Sequence, residues 1–244
     1  MRSSGSARSR QRLLAAVVLS LVSCPLLASD AGLLGDVISI PGTGVGAIPD
    51  GIAGSPTCGD GNGGTPLNVN FNVPPFPGQM IASVTVGMTL SPAHTFVGDL
   101  TARLIDPSGT RERVLFGRIL ATTAGGCGDS SDFAGPYLFA DGVAPPSGGI
   151  WQEGTARGTA EALTSGSYLP TASGGAGAVN PAPPTDLAVF VGMTSAQSTG
   201  TWTLRFVDSG DQDTGTVAAA TLLIALTPDT DTIFVDGFDT AIPI

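Results

Sequence analysis

The sequence predicts an all-β fold, either a β-sandwich or a β-barrel. Its 244 residues are 42% hydrophobic and only 12% charged, and they include 35 Gly and 19 Pro, a composition that excludes helical bundles and disordered chains. About seven or eight short segments with strand periodicity are separated by turn residues, which is typical of a sandwich or a barrel. No amphipathic helix is predicted after residue 28.

Residues 1–28 predict a secretory signal peptide. Four Arg precede an apolar run from Leu13 to Val22, which is much shorter than the roughly 20 residues of a membrane-spanning helix. Cleavage near residues 28–31 would release an exported protein. In an alternative interpretation, Leu-Val-Ser-Cys at 21–24 is a bacterial lipobox, and Cys24 carries a lipid anchor. Residues 29–44 are predicted as a linker.

Strands are predicted in order along the rest of the chain. Alternation of apolar and polar residues predicts strands at 67–73, 84–90 and 100–104. The Asp-Pro-Ser-Gly sequence at 106–109 suits a tight turn, so residues 111–118 should return as the partner strand of a hairpin. A weaker strand is predicted at 137–140, and stronger ones at 187–191, 202–206 and 217–226. The rest of 121–184 is predicted as loops, and irregular segments of this length are often functional or held by an ion.

The charged residues and cysteines exclude several functions. All ten basic residues are Arg, so there are no Schiff-base lysines and no phosphate-binding loops ending in Gly-Lys-Ser/Thr. Without residues 1–28 the chain has 6 Arg and 20 acids, a formal charge of −14, which makes nucleic acids and anionic membranes poor partners.

Cys58 and Cys127 would meet an oxidising compartment after export, so we expect a disulfide between them rather than two buried thiols.

Several motifs occur in order along the middle of the chain. They are His-Thr-Phe-Val-Gly-Asp-Leu at 94–100, Leu-Ile-Asp-Pro-Ser-Gly-Thr at 104–110, Gly-Thr-Trp-Thr-Leu at 200–204 and the acidic segment 208–215, with further motifs at 125–129, 139–141 and 166–170. Together they resemble the P domain (P/Homo B domain), which follows the catalytic domain of subtilisin-like proprotein convertases and many bacterial secreted proteases. The resemblance covers residues 45–226 and leaves 227–244 as a C-terminal tail. It implies a jelly-roll-like antiparallel β-sandwich that packs on a protease and often binds calcium.

Six aspartates are the candidate calcium ligands. The sequence Asp-Ser-Gly-Asp-Gln-Asp-Thr-Gly at 208–215 offers three carboxylates in one turn, and calcium takes about six to eight oxygen ligands in irregular geometry. It is not an EF-hand, because the closing Glu is missing. By the resemblance, further acids lie in loops that would converge on the same ion. The full candidate set is Asp99, Asp129, Asp141, Asp208, Asp211 and Asp213. The alternative is that these residues only form turns and solvated surface.

The sequence contains no recognisable catalytic site. His94 is the only histidine, and Asp99 follows it five residues later. No Gly-x-Ser-x-Gly motif occurs, so we expect His94 to hydrogen-bond a neighbouring loop rather than to act in a Ser-His-Asp triad. One His and two separated Cys do not form a zinc-binding pattern.

The remaining candidates are predicted to be structural. Glu112, Glu153 and Glu161 are the only Glu, and we expect all three on the solvated surface rather than as a glycosidase pair. Trp202 alternates with other apolar residues, which favours a place in the core over a sugar-stacking role. The tail motif at 231–239 resembles C-terminal tails of some exported Gram-negative proteins, so the tail either serves sorting or packs on the sandwich.

The sequence therefore predicts a secreted, non-catalytic, P-domain-like sandwich that is stabilised by calcium and acts as an interaction or accessory module. A secreted protease or a surface protein is the expected partner. One alternative is an accessory domain of a subtilisin-like serine endopeptidase system. A second alternative is an adhesion or carbohydrate-binding domain.

Overall fold

The computed structural model describes residues 35–52 and 58–229, and within them nine β-strands form two sheets. The strands are β1 (Val37–Pro41), β2 (Leu67–Val73), β3 (Gln79–Leu90), β4 (Leu100–Ile105), β5 (Glu112–Gly117), β6 (Tyr137–Ala140), β7 (Gly166–Tyr168), β8 (Gly200–Asp208) and β9 (Val217–Pro228). The predicted signal peptide, with Cys24, and the tail motif at 231–239 lie outside the described residues. Within the described ranges, no helix is long and apolar enough to cross a membrane.

The two sheets are built mainly from antiparallel pairs. The five-stranded sheet has the order β1-β9-β3-β6-β7, and the four-stranded sheet has the order β2-β8-β4-β5. The pairing of β6 with β7 is parallel, and the other pairs in both sheets are antiparallel. The chain passes between the sheets several times, because strands that follow one another in the sequence, such as β1, β2, β3 and β4, belong alternately to the two sheets. The predicted all-β antiparallel sandwich is therefore confirmed.

The core lies between the sheets and is filled by alternate residues of the strands. Along β8, Trp202, Leu204 and Phe206 are fully buried, while the residues between them are partly exposed. The Trp202 ring lies 5.0 Å from the Phe190 ring, and its indole N–H donates to the Ser198 carbonyl at 2.8 Å. The predicted core position of Trp202 is confirmed, so this ring is not a sugar-stacking platform.

The predicted strand at 187–191 is wrong, because residues Ala188–Phe190 form a 3-10 helix. The backbone N–H of Leu187 donates to both carboxylate oxygens of Asp141, at 2.9 and 3.1 Å, and this contact holds the start of the turn. Leu187 and Phe190 are both fully buried although they lie three residues apart. A helical turn brings such residues to one side, whereas a strand would place them on opposite faces.

The structure adds several elements that the sequence did not predict, among them β7 and a 3-10 turn at Pro146–Gly148, both in the stretch predicted as loops. Strand β1 lies within the predicted linker 29–44 and pairs with β9 from Val37↔Ala225 to Pro41↔Thr221, so the sandwich begins before residue 45. Helices α1 (Ile150–Ala156) and α2 (Ser195–Ser198) lie in segments predicted as non-helical. Helix α2 begins with a capping box formed by Thr194 and Gln197.

Glu153 is buried in α1, which corrects the expectation that it lies on the solvated surface. Its carboxylate accepts hydrogen bonds from the Ser147 hydroxyl, from the Arg157 guanidinium at 3.2 Å and from the Thr164 N–H at 3.0 Å. Burial alone would raise the pKa of Glu153, but these hydrogen bonds outweigh it and lower the pKa to about 2. The other two Glu are exposed, as expected.

Glu153→Gln is expected to lower the free energy of unfolding at pH 7 by about 2–3 kcal/mol, because hydrogen bonds to an ionised carboxylate are lost. The folded-state pKa lies below the ordinary value of 4.5, so the stabilisation is present above that pH and disappears as the pH falls towards 2. Urea unfolding at pH 7 and pH 3 measures the effect, with Glu161→Gln as an exposed control. An equal difference between wild type and variant at both pH values would contradict the assignment.

Candidate metal centre

The pairing of β4 with β8 brings the candidate acids together at one end of the sandwich. Leu100, the first residue of β4, lies opposite Asp208, the last residue of β8. The segment 94–99 enters β4 at this point, and the acidic turn 209–216 leaves β8 at the same point. Asp99 and the acidic turn are therefore neighbours in space, although more than a hundred residues separate them in the sequence.

His94 is buried beneath this turn and is fixed by two hydrogen bonds. Its Nδ1 accepts from the Phe96 N–H at 3.4 Å, which places the proton of the neutral ring on Nε2. Nε2 then donates to Asp208 Oδ2 at 3.0 Å, while Asp208 Oδ1 accepts from the Gly210 N–H at 2.8 Å. The ring thus joins the segment 94–99 to Asp208, and the second oxygen of Asp208 holds the Gly210 N–H of the acidic turn. His94 bonds a neighbouring loop, as the sequence predicted.

Asp99 is the unusual group of the site. Its side chain is 2% exposed, its Oδ1 has no hydrogen-bond partner, and that oxygen lies 3.9 Å from His94 Nδ1, beyond hydrogen-bond distance. Burial, followed by repulsion from the carboxylates of Asp208 and Asp213, raises the pKa of Asp99 to about 9. A buried carboxyl oxygen without a donor is costly unless a proton or a cation compensates it.

Asp99 faces a small pocket of about 120 Å³ at the surface. Asp213 also lines the pocket, and its Oδ1 accepts from the Thr95 hydroxyl at 2.8 Å. Asp50 lies close by and accepts from the Gln212 N–H at 3.1 Å; its charge contributes to the raised pKa of Asp99. The residues that line the pocket are Cys58, Phe96, Asp99, Cys127, Gly210, Asp211 and Asp213. The carboxylates around Asp99 therefore repel one another and favour a bound cation.

The structure separates two of the six predicted aspartates from this pocket. Asp129 is buried against Gly154, and its Oδ1 accepts from the Ser131 hydroxyl at 3.2 Å. Burial raises the pKa of Asp129. Asp141 bonds the backbone of Leu187, as described above. The pocket instead gathers Asp99, Asp211 and Asp213, with Asp208 directly beneath them.

One group of the site, Asp50, was missed from the sequence. Asp50 follows a proline in an irregular segment, and nothing local in the sequence indicates that it reaches the acidic turn. His94 was noted, but its contact with Asp208 depends on the sheet pairing. His94, Asp99 and Asp208 each present one possible ligand atom, and these three atoms lie within 4.8 Å of one another.

The predicted Cys58–Cys127 disulfide is confirmed, with the Cα atoms 5.1 Å apart. It joins residues that are 69 positions apart in the sequence and forms part of the pocket wall. A structural disulfide fits a protein that folds in an oxidising compartment.

The fold and the pocket define a β-sandwich protein with a buried acidic site. No protein-family model matches the sequence, and no curated protein matches it significantly. Among solved structures, a chain from the complex of the Aeromonas sobria serine protease with its chaperone is similar, with 14% identity and a TM-score of 0.34 over 80% of this chain and 28% of that chain. The Aeromonas sobria serine protease alone gives 14% identity and a TM-score of 0.33 over 79% of this chain and 27% of that one. The present chain thus spans less than a third of the length of either.

Proposed function

We propose that this chain is an exported, non-catalytic module that binds calcium and acts by associating with another exported protein. The observation that carries the calcium assignment is Asp99, a buried carboxyl group whose Oδ1 has no hydrogen-bond partner and which lines a pocket together with further carboxylates. A cation in this pocket would replace the proton that Asp99 otherwise holds.

Calcium suits this donor set better than the common transition metals. The ligands on offer are carboxylate oxygens in irregular loops, which calcium accepts because its coordination number and geometry are flexible. Zinc prefers nitrogen and sulfur, but His94 is already bonded on both nitrogens, and both cysteines of the pocket are in the disulfide. Asp99, Asp211 and Asp213 would supply side-chain oxygens, and Asp208 would hold the turn.

The wild-type protein is expected to melt at a higher temperature in millimolar calcium than in chelator. A free calcium concentration about a hundredfold above Kd would stabilise the fold by about 2.7 kcal/mol, which corresponds to a rise of roughly 5–10 °C for a domain of this size. Differential scanning calorimetry measures the rise, and magnesium at the same concentration should give a smaller one. An unchanged melting temperature would contradict calcium binding.

Two variants locate the ion. Asp213→Asn removes a charge from the pocket and should reduce the rise in melting temperature with calcium. Asp141→Asn is the matched control, because Asp141 lies outside the pocket and its amide oxygen can still accept from the Leu187 N–H. Equal calcium responses of the two variants would place the ion elsewhere.

The five-stranded sheet offers support for the association role. A groove on this sheet has no charged residue in its lining, although the chain as a whole is strongly acidic. Leu138 projects beside Gly87 and is 41% exposed. The lining is Gly87, Met88, Thr89, Pro136, Tyr137, Leu138, Ala219, Ala220, Thr221 and Leu223. An exposed apolar surface of this kind is typical of protein contact sites.

We propose a secreted serine protease as the partner, in keeping with the sequence resemblance to the P domain. The purified chain should cleave no protein substrate, with or without calcium. Immobilised wild-type chain should retain a serine protease from the culture medium of the source organism, and Leu138→Glu should weaken this retention while leaving the calcium response intact. Proteolysis by the chain alone would contradict the non-catalytic assignment, and retention of no protease would contradict the partner.

A further inference from the structure

We propose that the Cys58–Cys127 disulfide completes the calcium pocket, so that calcium affinity depends on this bond being closed. The inference rests on the proposed calcium role and adds a redox condition to it. Both cysteines line the same pocket as Asp99, Asp211 and Asp213.

The Cys58 half of the disulfide is attached to the acidic turn. Cys58 forms an isolated antiparallel bridge with Gly210, and the Gly59 N–H donates to the Ser209 carbonyl at 2.9 Å. The turn that carries Asp211 and Asp213 is therefore hydrogen-bonded to the segment that begins at Cys58.

The Cys127 half is attached to the segment that carries Asp99. Gly98 packs so closely on this half that a Cβ at position 98 would overlap the Cys127 carbonyl. The Gly98 N–H donates to the Asp129 carbonyl at 2.8 Å, and the Val97 N–H donates to the Ser131 carbonyl at 2.9 Å. The disulfide thus ties the loop before β4 to the turn after β8 across the pocket.

This tie keeps the proposed ligands around one pocket. Asp99 lies on one side of the tie and Asp211 and Asp213 lie on the other, and all three line the same pocket as the two cysteines. The two segments also share direct contacts, since the Ser209 N–H donates to the Asp99 carbonyl at 2.9 Å and the Thr95 hydroxyl donates to Asp213 at 2.8 Å. Opening the disulfide would therefore loosen the wall of the pocket without separating the segments, and calcium binding would have to order that wall. We expect calcium affinity to fall by about 10- to 100-fold, the range found when groups that position metal ligands are removed.

The experiment compares calcium binding by the full chain with and without the disulfide. Isothermal titration with calcium chloride is carried out on oxidised wild type and on the double variant Cys58→Ala, Cys127→Ala. Glu153→Gln is the control for lost stability, because it weakens the fold at α1, away from the pocket. The control should bind calcium like wild type, and the double variant should bind at least about tenfold more weakly.

The outcomes separate this inference from the calcium role itself. Absence of binding by oxidised wild type would overturn the proposed calcium role. Binding by wild type and equal binding by the double variant would overturn the redox condition alone. Equal weakening in Glu153→Gln and in the double variant would also overturn it, because the loss would then follow stability rather than pocket structure.

A second measurement covers the case in which the double variant does not fold. Wild type is reduced at about 10 °C with a trialkylphosphine, which cleaves the S–S bond; water supplies the oxygen of the phosphine oxide and the protons of the two thiols. Fluorescence of the buried Trp151 and Trp202 reports whether the reduced chain stays folded. Folded, reduced protein with undiminished calcium affinity would overturn the inference, and at least tenfold weaker binding would support it.

Discussion

Replacing Asp99 by Asn is expected to abolish the calcium-dependent rise in melting temperature and to stabilise the calcium-free protein at pH 8–9. The amide has nearly the shape of the carboxyl group but cannot ionise. It therefore removes the charge that a cation would neutralise and ends the repulsion from Asp208 and Asp213. Loss of calcium binding and gain of stability in its absence should appear in the same variant.

The pH dependence of the calcium-free wild type follows from the same group. The folded-state pKa of Asp99 is about 9, above the ordinary value of 3.8, so the folded chain holds this proton more tightly than the unfolded chain does. Stability from this group is complete below about pH 4 and is lost as the pH rises towards 9, by up to about 1.4 kcal/mol per pH unit. Burial raises the pKa of Asp129 and Asp132 as well, so their contributions have the same sign.

Urea unfolding of wild type and Asp99→Asn between pH 5 and pH 9 in chelator measures this dependence. The free energy of unfolding of the wild type should fall steeply across the range. The free energy of the variant should fall less steeply with pH, and the difference in slope should correspond to at most one proton. Saturating calcium should flatten the wild-type slope and leave the variant unchanged. Identical slopes in chelator would show that Asp99 does not hold the proton, and would remove the main support for the cation site.

The strands were predictable because apolar and polar residues alternate along a strand when one face of the sheet is buried and the other is exposed. Strand β2 shows this directly: Val69, Phe71 and Val73 are buried, and Asn68, Asn70 and Asn72 lie between them. The segment 187–191 could not be assigned in this way, because a short run of apolar residues fits a buried strand and a buried helical turn equally well. The deciding contact is the hydrogen bond from Leu187 to Asp141, which is remote in sequence. In contrast, the capping box of α2 was present in the sequence as Thr194 and Gln197 and could have been recognised.

The acidic turn of the candidate site was predictable, but its completion was not. Three aspartates within 208–213 are a local signal, whereas the contact of this turn with Asp99 depends on the register of β4 against β8. The contact between His94 and Asp208 depends on the same register. Asp129 and Asp141 belong to similar loops in the sequence but lie outside the pocket: Asp141 accepts from the Leu187 N–H, and Asp129 Oδ1 accepts from the Ser131 hydroxyl while its Oδ2 is buried without a hydrogen-bond partner. Glu153 was misplaced for a different reason: its donors, Ser147, Arg157 and Thr164, all lie within 11 residues of it, but its burial depends on helix α1, which the sequence did not predict.

Gly210→Ala is expected to remove calcium binding and to lower the free energy of unfolding by about 1–3 kcal/mol. A Cβ at position 210 would overlap Asp99 Oδ2 and approach Asp99 Cγ at 2.8 Å. Because Asp99 is buried, its carboxylate has little room to retreat, so the methyl group must displace either this side chain or the acidic turn. Both movements separate the oxygens that calcium would join.

Gly46→Ala is the matched control, since a Cβ at position 46 would meet no atom within 4 Å. It should leave the calcium response and the stability nearly unchanged. A double-mutant cycle identifies the group that the methyl displaces: in an Asp99→Ala background, where no carboxylate remains to be pushed aside, Gly210→Ala should cost much less stability than in wild type. An equal cost in both backgrounds would mean that the overlap is relieved without moving Asp99. Calorimetric calcium titration and urea unfolding of the four proteins decide between these results, because Gly210 packs directly on Oδ2 of the Asp99 carboxyl group.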